Sequence, residues 1–124
     1  MALKVLAVDD SLTIRELLRA CLTNAGFDVD VAVDGMDGLE KLPEAAPDVV
    51  ITDINMPRMN GFEFIDALRG GQSPTTVPIL VLTTESASEL KQKARAAGAT
   101  GWIVKPFDET RLVSAIRRVA SYDA

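Results

Sequence analysis

Three carboxylates in this chain stand where apolar runs give way to polar residues: Asp9 and Asp10 after "LKVLAV", and Asp53 after "DVVIT". Thr83 ends another such run, "VPILVLT", and Lys105 ends "GWIVK". Singly, each has a structural explanation. Asp9 or Asp10 could cap a helix beginning at Ser11, Thr83 could be a β-former, and Lys105 a solvated strand-end cation. Asp53 could start the turn written by Asn55, Pro57 and Gly61. Independent caps and turns, however, have no reason to supply this complementary set at one place in every run. If the first and third runs lie side by side, three carboxylates converge and repel one another unless a cation offsets them. An all-oxygen donor set without His or Cys favours Mg²⁺ over zinc or copper. Lys105 would then hold a phosphoryl oxygen as a point charge, with Thr83 adding a hydroxyl donor. An aspartate carboxylate can attack phosphorus while metal and lysine neutralise the equatorial oxygens, and Asp53 is the best candidate for that nucleophile.

The elements that must position these groups are written in the hydrophobic pattern. Strands are expected over 3–8, 27–33, 48–52, 77–83 and 101–105, the second nearer a sheet edge because it alternates before turning continuous. Between them run amphipathic helices. The first is capped by Ser11, carries Ile14, Leu17, Leu18, Cys21 and Leu22, and stops at Asn24 and Gly26. The second opens at Asp34 and Gly35, carries Met36, Leu39 and Leu42, and is stopped by Pro43. The third carries Phe62, Ile65 and Leu68 and ends at Gly70 and Gly71; the fourth carries Ala87, Leu90, Ala94 and Ala97 and stops at Gly98. Asp108 caps the last, with Leu112, Val113, Ile116 and Val119 inward. Successive βα units with apolar strands imply a three-layer α/β sandwich around a parallel sheet, whose ligands bind beyond the carboxyl ends of the strands. All the singled-out residues fall on that edge.

With 124 residues, 48% of them hydrophobic and 25% charged, the chain is expected to form a single domain over 1–124. "GGQSPTT", 70–76, is read as a surface loop, not a linker. A net charge of −5 argues against nonspecific nucleic-acid binding, and the small patch of Arg111, Arg117 and Arg118 reads as solvated helix-end cations. With 0 histidines the usual general base, the commonest metal ligand and any phosphohistidine on this chain are excluded. Cys21 stands alone, so no intramolecular disulfide forms, and with no signal peptide or long apolar span a cytoplasmic protein is expected.

The set "VDDS" at 8–11, "TDINMPRMNG" at 52–61, "LTTES" at 82–86 and "KPF" at 105–107 resembles the receiver domains of two-component response regulators, over essentially the whole chain. Among these it is similar to the single-domain chemotaxis regulators of the CheY type. The resemblance implies a flavodoxin-like (βα)5 fold with a five-stranded parallel sheet in the order 2-1-3-4-5, an order for which CheY itself is a standard example. It implies that Asp53 is the phosphoacceptor, that Asp9 and Asp10 bind Mg²⁺ with Asp10 the more direct, and that Asn55 ligates through its backbone carbonyl. Thr83 and Lys105 would hold the phosphoryl group, and the Lys105–Pro106 bond would be cis. Asn55 and Glu85 would line the approach of water or a phosphatase and so tune phosphate lifetime, although Glu85 also reads as a solvated first-turn helix acid. Trp102 is a departure, since Tyr or Phe is usual there. It could be the rotating aromatic of the switch, a fixed interface residue, or core filler.

The activity implied is that of a phosphorylation switch, not an enzyme, with a histidine kinase as phosphate donor. The chain ends soon after the last helix, so no output domain is expected on it, and the protein is expected to be a monomer acting through a partner. In chemotaxis that partner is a flagellar motor switch protein; a stand-alone receiver could equally be a phosphate sink or phosphorelay intermediate. An aspartyl-phosphate phosphohydrolase of the haloacid-dehalogenase type would need an acid two residues after its nucleophile, where Ser11 and Asn55 stand instead. A flavodoxin-like electron carrier would need a Ser/Thr/Gly-rich phosphate cradle after the first strand, which is missing.

Overall fold

The structure is a computed structural model in which residues 2–122 are described. Ten elements alternate: β1 (Lys4–Val8), α1 (Leu12–Asn24), β2 (Asp28–Ala32), α2 (Gly35–Ala45), β3 (Val49–Thr52), α3 (Gly61–Gly70), β4 (Ile79–Thr83), α4 (Ser88–Ala97), β5 (Gly101–Val104) and α5 (Glu109–Tyr122). All four strand pairings are parallel, and the sheet order is β2-β1-β3-β4-β5. The flavodoxin-like expectation is therefore met.

Period-two geometry explains why the central strands are apolar without interruption. Leu6, Val8, Val50, Ile79 and Val81 point to one face, where Phe64, Ile65, Leu68 and Ala94 of α3 and α4 cover them. Their neighbours Val5, Ala7, Val49, Ile51, Leu80 and Leu82 point to the other, beneath Leu18 and Leu22 of α1 and Leu112 and Ile116 of α5. A strand covered on both faces has no room for polar alternation. The edge strands β2 and β5 are only partly buried, as the alternation in β2 suggests.

Caps set several helix ends where expected. The Ser11 hydroxyl accepts from the Ile14 amide at 3.3 Å, and Asp108 Oδ1 accepts from the Arg111 amide at 3.2 Å. Pro43 does not stop α2. It is exposed, near the helix end, where a missing amide interrupts little of the ladder, and the helix closes only at Ala46, which adopts φ 41°. The apolar stripes are also narrower than their spacing suggests: Leu17 is 51% and Met36 46% exposed, and Ala87 lies outside α4 as an exposed N-cap. Gly35, Gly38 and Ala45 are the fully buried residues of α2, while Leu39 and Leu42 pack partly buried against the core; at Gly38 an added Cβ would fall 2.9 Å from the Phe64 ring. Among the described residues, no helix is long and apolar enough to cross a membrane.

Candidate functional site

Sheet register alone brings the acids together. Val8 pairs with Thr52, so the residues that follow, Asp9 and Asp53, leave adjacent parallel strands at the same end. Backbone bonds extend the ladder one step further, with the Asp9 amide donating to the Ala32 carbonyl at 3.1 Å and the Asp53 amide to the Val8 carbonyl at 3.0 Å. Thr52 pairs with Val81, which carries Thr83 to the same edge, and the Lys105 amide donates to the Thr83 carbonyl at 2.7 Å. The Lys105–Pro106 peptide is cis.

The side chains then converge. One carboxylate oxygen from each of Asp9, Asp10 and Asp53 lies within 4.8 Å of the others, with Asp9 and Asp53 buried and Asp10 exposed. Lys105 Nζ sits between two of them, 2.9 Å from Asp9 Oδ2 and 2.9 Å from Asp53 Oδ2. The second oxygens are held by backbone: Asp9 Oδ1 accepts from the Ser11 amide at 2.9 Å, and Asp53 Oδ1 from the Ile54 amide at 2.6 Å. Arg15 Nη1 donates to the Asp9 carbonyl at 2.8 Å and ties α1 back to the acidic loop.

Burial dominates the electrostatics. Asp9 is 1% exposed, and desolvation pushes its carboxyl above the ordinary value even though Lys105 and the Ser11 amide pull it down. Desolvation also opposes the Lys105 charge, but hydrogen bonds to Asp53 and Asp9 more than offset it and hold the ammonium above its usual range. The arrangement therefore stores negative charge beside one fixed cation. Three carboxylates with neither His nor Cys form a hard, all-oxygen donor set, which suits Mg²⁺ and not zinc. Acidic pockets of this kind are where receiver domains bind Mg²⁺.

Around the rim, Asn55 Nδ2 donates to Glu85 Oε1 at 3.2 Å, so these two meet across the mouth of the site. Thr83 is fully buried, and its hydroxyl accepts from the Glu85 amide at 3.4 Å. Trp102 packs partly buried against the core beneath α3 and α4, and its indole N–H donates to the Glu85 carbonyl at 3.0 Å. Its polar edge is thereby tied to the loop after β4. Gly61 matters through close approach: an added Cβ would meet the Asp53 carbonyl oxygen and lie 2.8 Å from Ile54 Cα. Sequence spacing gave no hint of Arg15 or of the Arg58 contact with Asp34, because both rest on side chains crossing between elements.

Residues 5–117 match the sequence pattern of the response regulator receiver domain. The chain is 33% identical to Protein PilG of Pseudomonas aeruginosa over 115 residues, which is 93% of this chain and 85% of that protein. It is 35% identical over 117 residues to Response regulator MprA of Mycobacterium tuberculosis, covering 94% of this chain but spanning half, 50%, of MprA's length. Among solved structures, the chemotaxis protein CheY4 of Vibrio cholerae superposes with a TM-score of 0.90 at 48% identity, over 96% of this chain and 99% of that one. A strand-edge acid cluster bridged by lysine, a sheet ordered 2-1-3-4-5 and a match over nearly the whole sequence converge, and the chain belongs to the response regulator receiver domain family.

Proposed function

We propose that this chain acts as a phosphorylation switch in chemotaxis, phosphorylated on Asp53 by a histidine kinase and read by a flagellar motor switch protein. The observation that carries the reading is Lys105 Nζ held 2.9 Å from both Asp9 and Asp53, a cation poised where phosphoryl charge would develop. Phosphate donation by histidine kinases is general to receiver domains, and CheY4, nearly half identical, is a chemotaxis protein by name.

In the transfer, an Asp53 carboxylate oxygen attacks phosphorus while the phosphorus–nitrogen bond to the kinase histidine breaks. The electron pair stays on the imidazole nitrogen, which takes up a proton. Lys105 exchanges its Asp53 contact for a phosphoryl oxygen, and the Thr83 hydroxyl turns from the Glu85 amide to donate to another. Asp9, Asp10, Asp53 and the Asn55 carbonyl would hold Mg²⁺, which supplies positive charge against the phosphoryl oxygens. Asn55 and Glu85, bonded across the mouth, control the approach of water or a phosphatase and thereby the phosphate lifetime. Because Glu85 neighbours Thr83 and bonds to Trp102, movement of Thr83 reaches the indole and shifts the population of the α4–β5–α5 face.

The chain holds 1 tryptophan, so emission reports Trp102 alone. With Mg²⁺ and a small phosphodonor the emission should change, and a motor switch protein titrated in should bind more tightly than without donor. Unchanged emission would contradict the coupling of Trp102 to the site. Equal affinity in the two states would overturn the motor output while leaving the phosphoacceptor untouched.

A further inference from the structure

The loop between β3 and α3 bends through Arg58, whose φ of 64° lies in the left-handed region that residues other than glycine rarely adopt. The Met59 amide donates to the Pro57 carbonyl at 2.7 Å, closing a three-residue γ-turn about Arg58. A backbone of this kind persists where its surroundings over-determine it, and such strain collects at functional sites.

Two contacts supply that determination. Arg58 Nε donates to Asp34 Oδ2 at 2.7 Å and Nη2 to Oδ1 at 3.0 Å, a fork that occupies both carboxylate oxygens. The next residue, Met59, lies on Gly35, where an added Cβ would fall 2.7 Å from Met59 Cγ. Asp34 is itself immobilised. It is 3% exposed, and its Oδ1 also caps α2 by accepting from the Asp37 amide at 2.9 Å. The hydrogen bonds from Arg58 hold its carboxyl below the ordinary value, so the pair stays charged. At the other end the loop is anchored by the Ile54 amide on Asp53 Oδ1 and by the Gly61 amide on the Ile54 carbonyl at 2.8 Å. Asn55 lies between the two anchors.

We propose that the Arg58–Asp34 pair is a brace that fixes the loop carrying the Asn55 carbonyl, making Arg58 a positioning residue for cation binding. The proposal rests on the reading of Asp9, Asp10 and Asp53 as a Mg²⁺ site. Arg58 touches none of those carboxylates; it acts by limiting the conformations of the loop. An exposed arginine, with 60% of its side chain accessible, gains this leverage because its partner is 4% accessible and rooted in a helix cap. A loop whose ligand is already in place loses less freedom when the ion binds.

The test uses Arg58→Gly, Arg58→Lys and Asp34→Asn in the full chain. Glycine accepts the left-handed backbone, so Arg58→Gly removes the brace without adding strain, and Asp34→Asn keeps an oxygen for the α2 cap. By titration calorimetry, Arg58→Gly should bind Mg²⁺ roughly tenfold more weakly, the low end of what loss of an orienting partner costs a metal site. Asp34→Asn should weaken binding in the same direction and Arg58→Lys should fall between parent and Arg58→Gly. Amide exchange at Gly61, whose bond to Ile54 closes the loop, should quicken in Arg58→Gly by more than the accompanying fall in the urea midpoint accounts for. Parental affinity in Arg58→Gly overturns the brace. So does a weakening that only follows the urea midpoint across the three variants. If the parent shows no saturable Mg²⁺ binding that Asp10→Asn weakens, the site reading itself fails and the brace falls with it, a result distinct from the other two.

Discussion

Lys105→Met, in chelator-treated protein at neutral pH, is expected to lose about 2–3 kcal/mol of folding stability, somewhat under the loss for a fully buried pair because 11% of the lysine side chain remains accessible. The methionine fills the same channel but leaves Asp9 and Asp53 facing each other without the ammonium that now lies 2.9 Å from each. The pH dependence follows from Asp9. Burial already raises its folded value above the ordinary 3.8, and loss of Lys105 removes one of the influences that lower it. A group with a raised folded value favours the fold below its unfolded value and loses that contribution as pH rises through the folded one. The deficit of the variant should therefore be full at neutral pH and shrink on acidification. Added Mg²⁺ should also shrink it, by binding the folded state. Urea midpoints across pH, with and without Mg²⁺, check this at constant m-value. A variant as stable as the parent at neutral pH would mean that Lys105 does not compensate the acids.

The second large effect is expected at Gly61, where there is space for a hydrogen and nothing more. A methyl group there meets the Asp53 carbonyl and Ile54 Cα, both backbone, so no rotamer change relieves the contact. Gly61→Ala should cost about 1–3 kcal/mol, the usual range for overpacking, and nearer the upper end because the chain itself must move. The displaced segment carries Asp53, so the rate of phosphorylation from a small donor should fall as well. Gly70→Ala is the matched control: it adds the same methyl to the same helix where nothing lies within 4 Å, and should be neutral or slightly stabilising. Equal urea midpoints for the two variants would contradict the packing account.

Much of this architecture was legible because it depends on local pattern. Continuous apolar runs such as "VVIT" and "ILVLT", too short for capped helices, read as strands covered on both faces, and the polar residue just after the first, Asp53, and at the end of the second, Thr83, is the one that the register carries to the site. Ser11 and Asp108 announced their helices through side-chain chemistry that acts over three residues. Legibility failed where the outcome depends on how tightly an element packs. Pro43 suggested a helix end but lies where the helix can absorb it, and Met36 stays exposed while Leu39 and Leu42 of the same stripe pack against the core. It failed again where contacts span the fold. Arg58 reads as a loop cation until Asp34, 24 residues away, closes a fork on it. Trp102 admits three roles in the sequence, and the bond from its indole to the Glu85 carbonyl, which ties it to the loop after β4, crosses between elements and leaves no local pattern.

The central claim is that Asp53 accepts the phosphoryl group, and the most direct measurement is labelling of the chain and of Asp53→Asn side by side. Each is incubated with Mg²⁺ and a small phosphodonor and resolved on a phosphate-affinity gel. The account predicts a shifted band for the parent that requires Mg²⁺ and is absent from Asp53→Asn. A band of equal intensity in the variant would contradict it and move the phosphoacceptor to another residue.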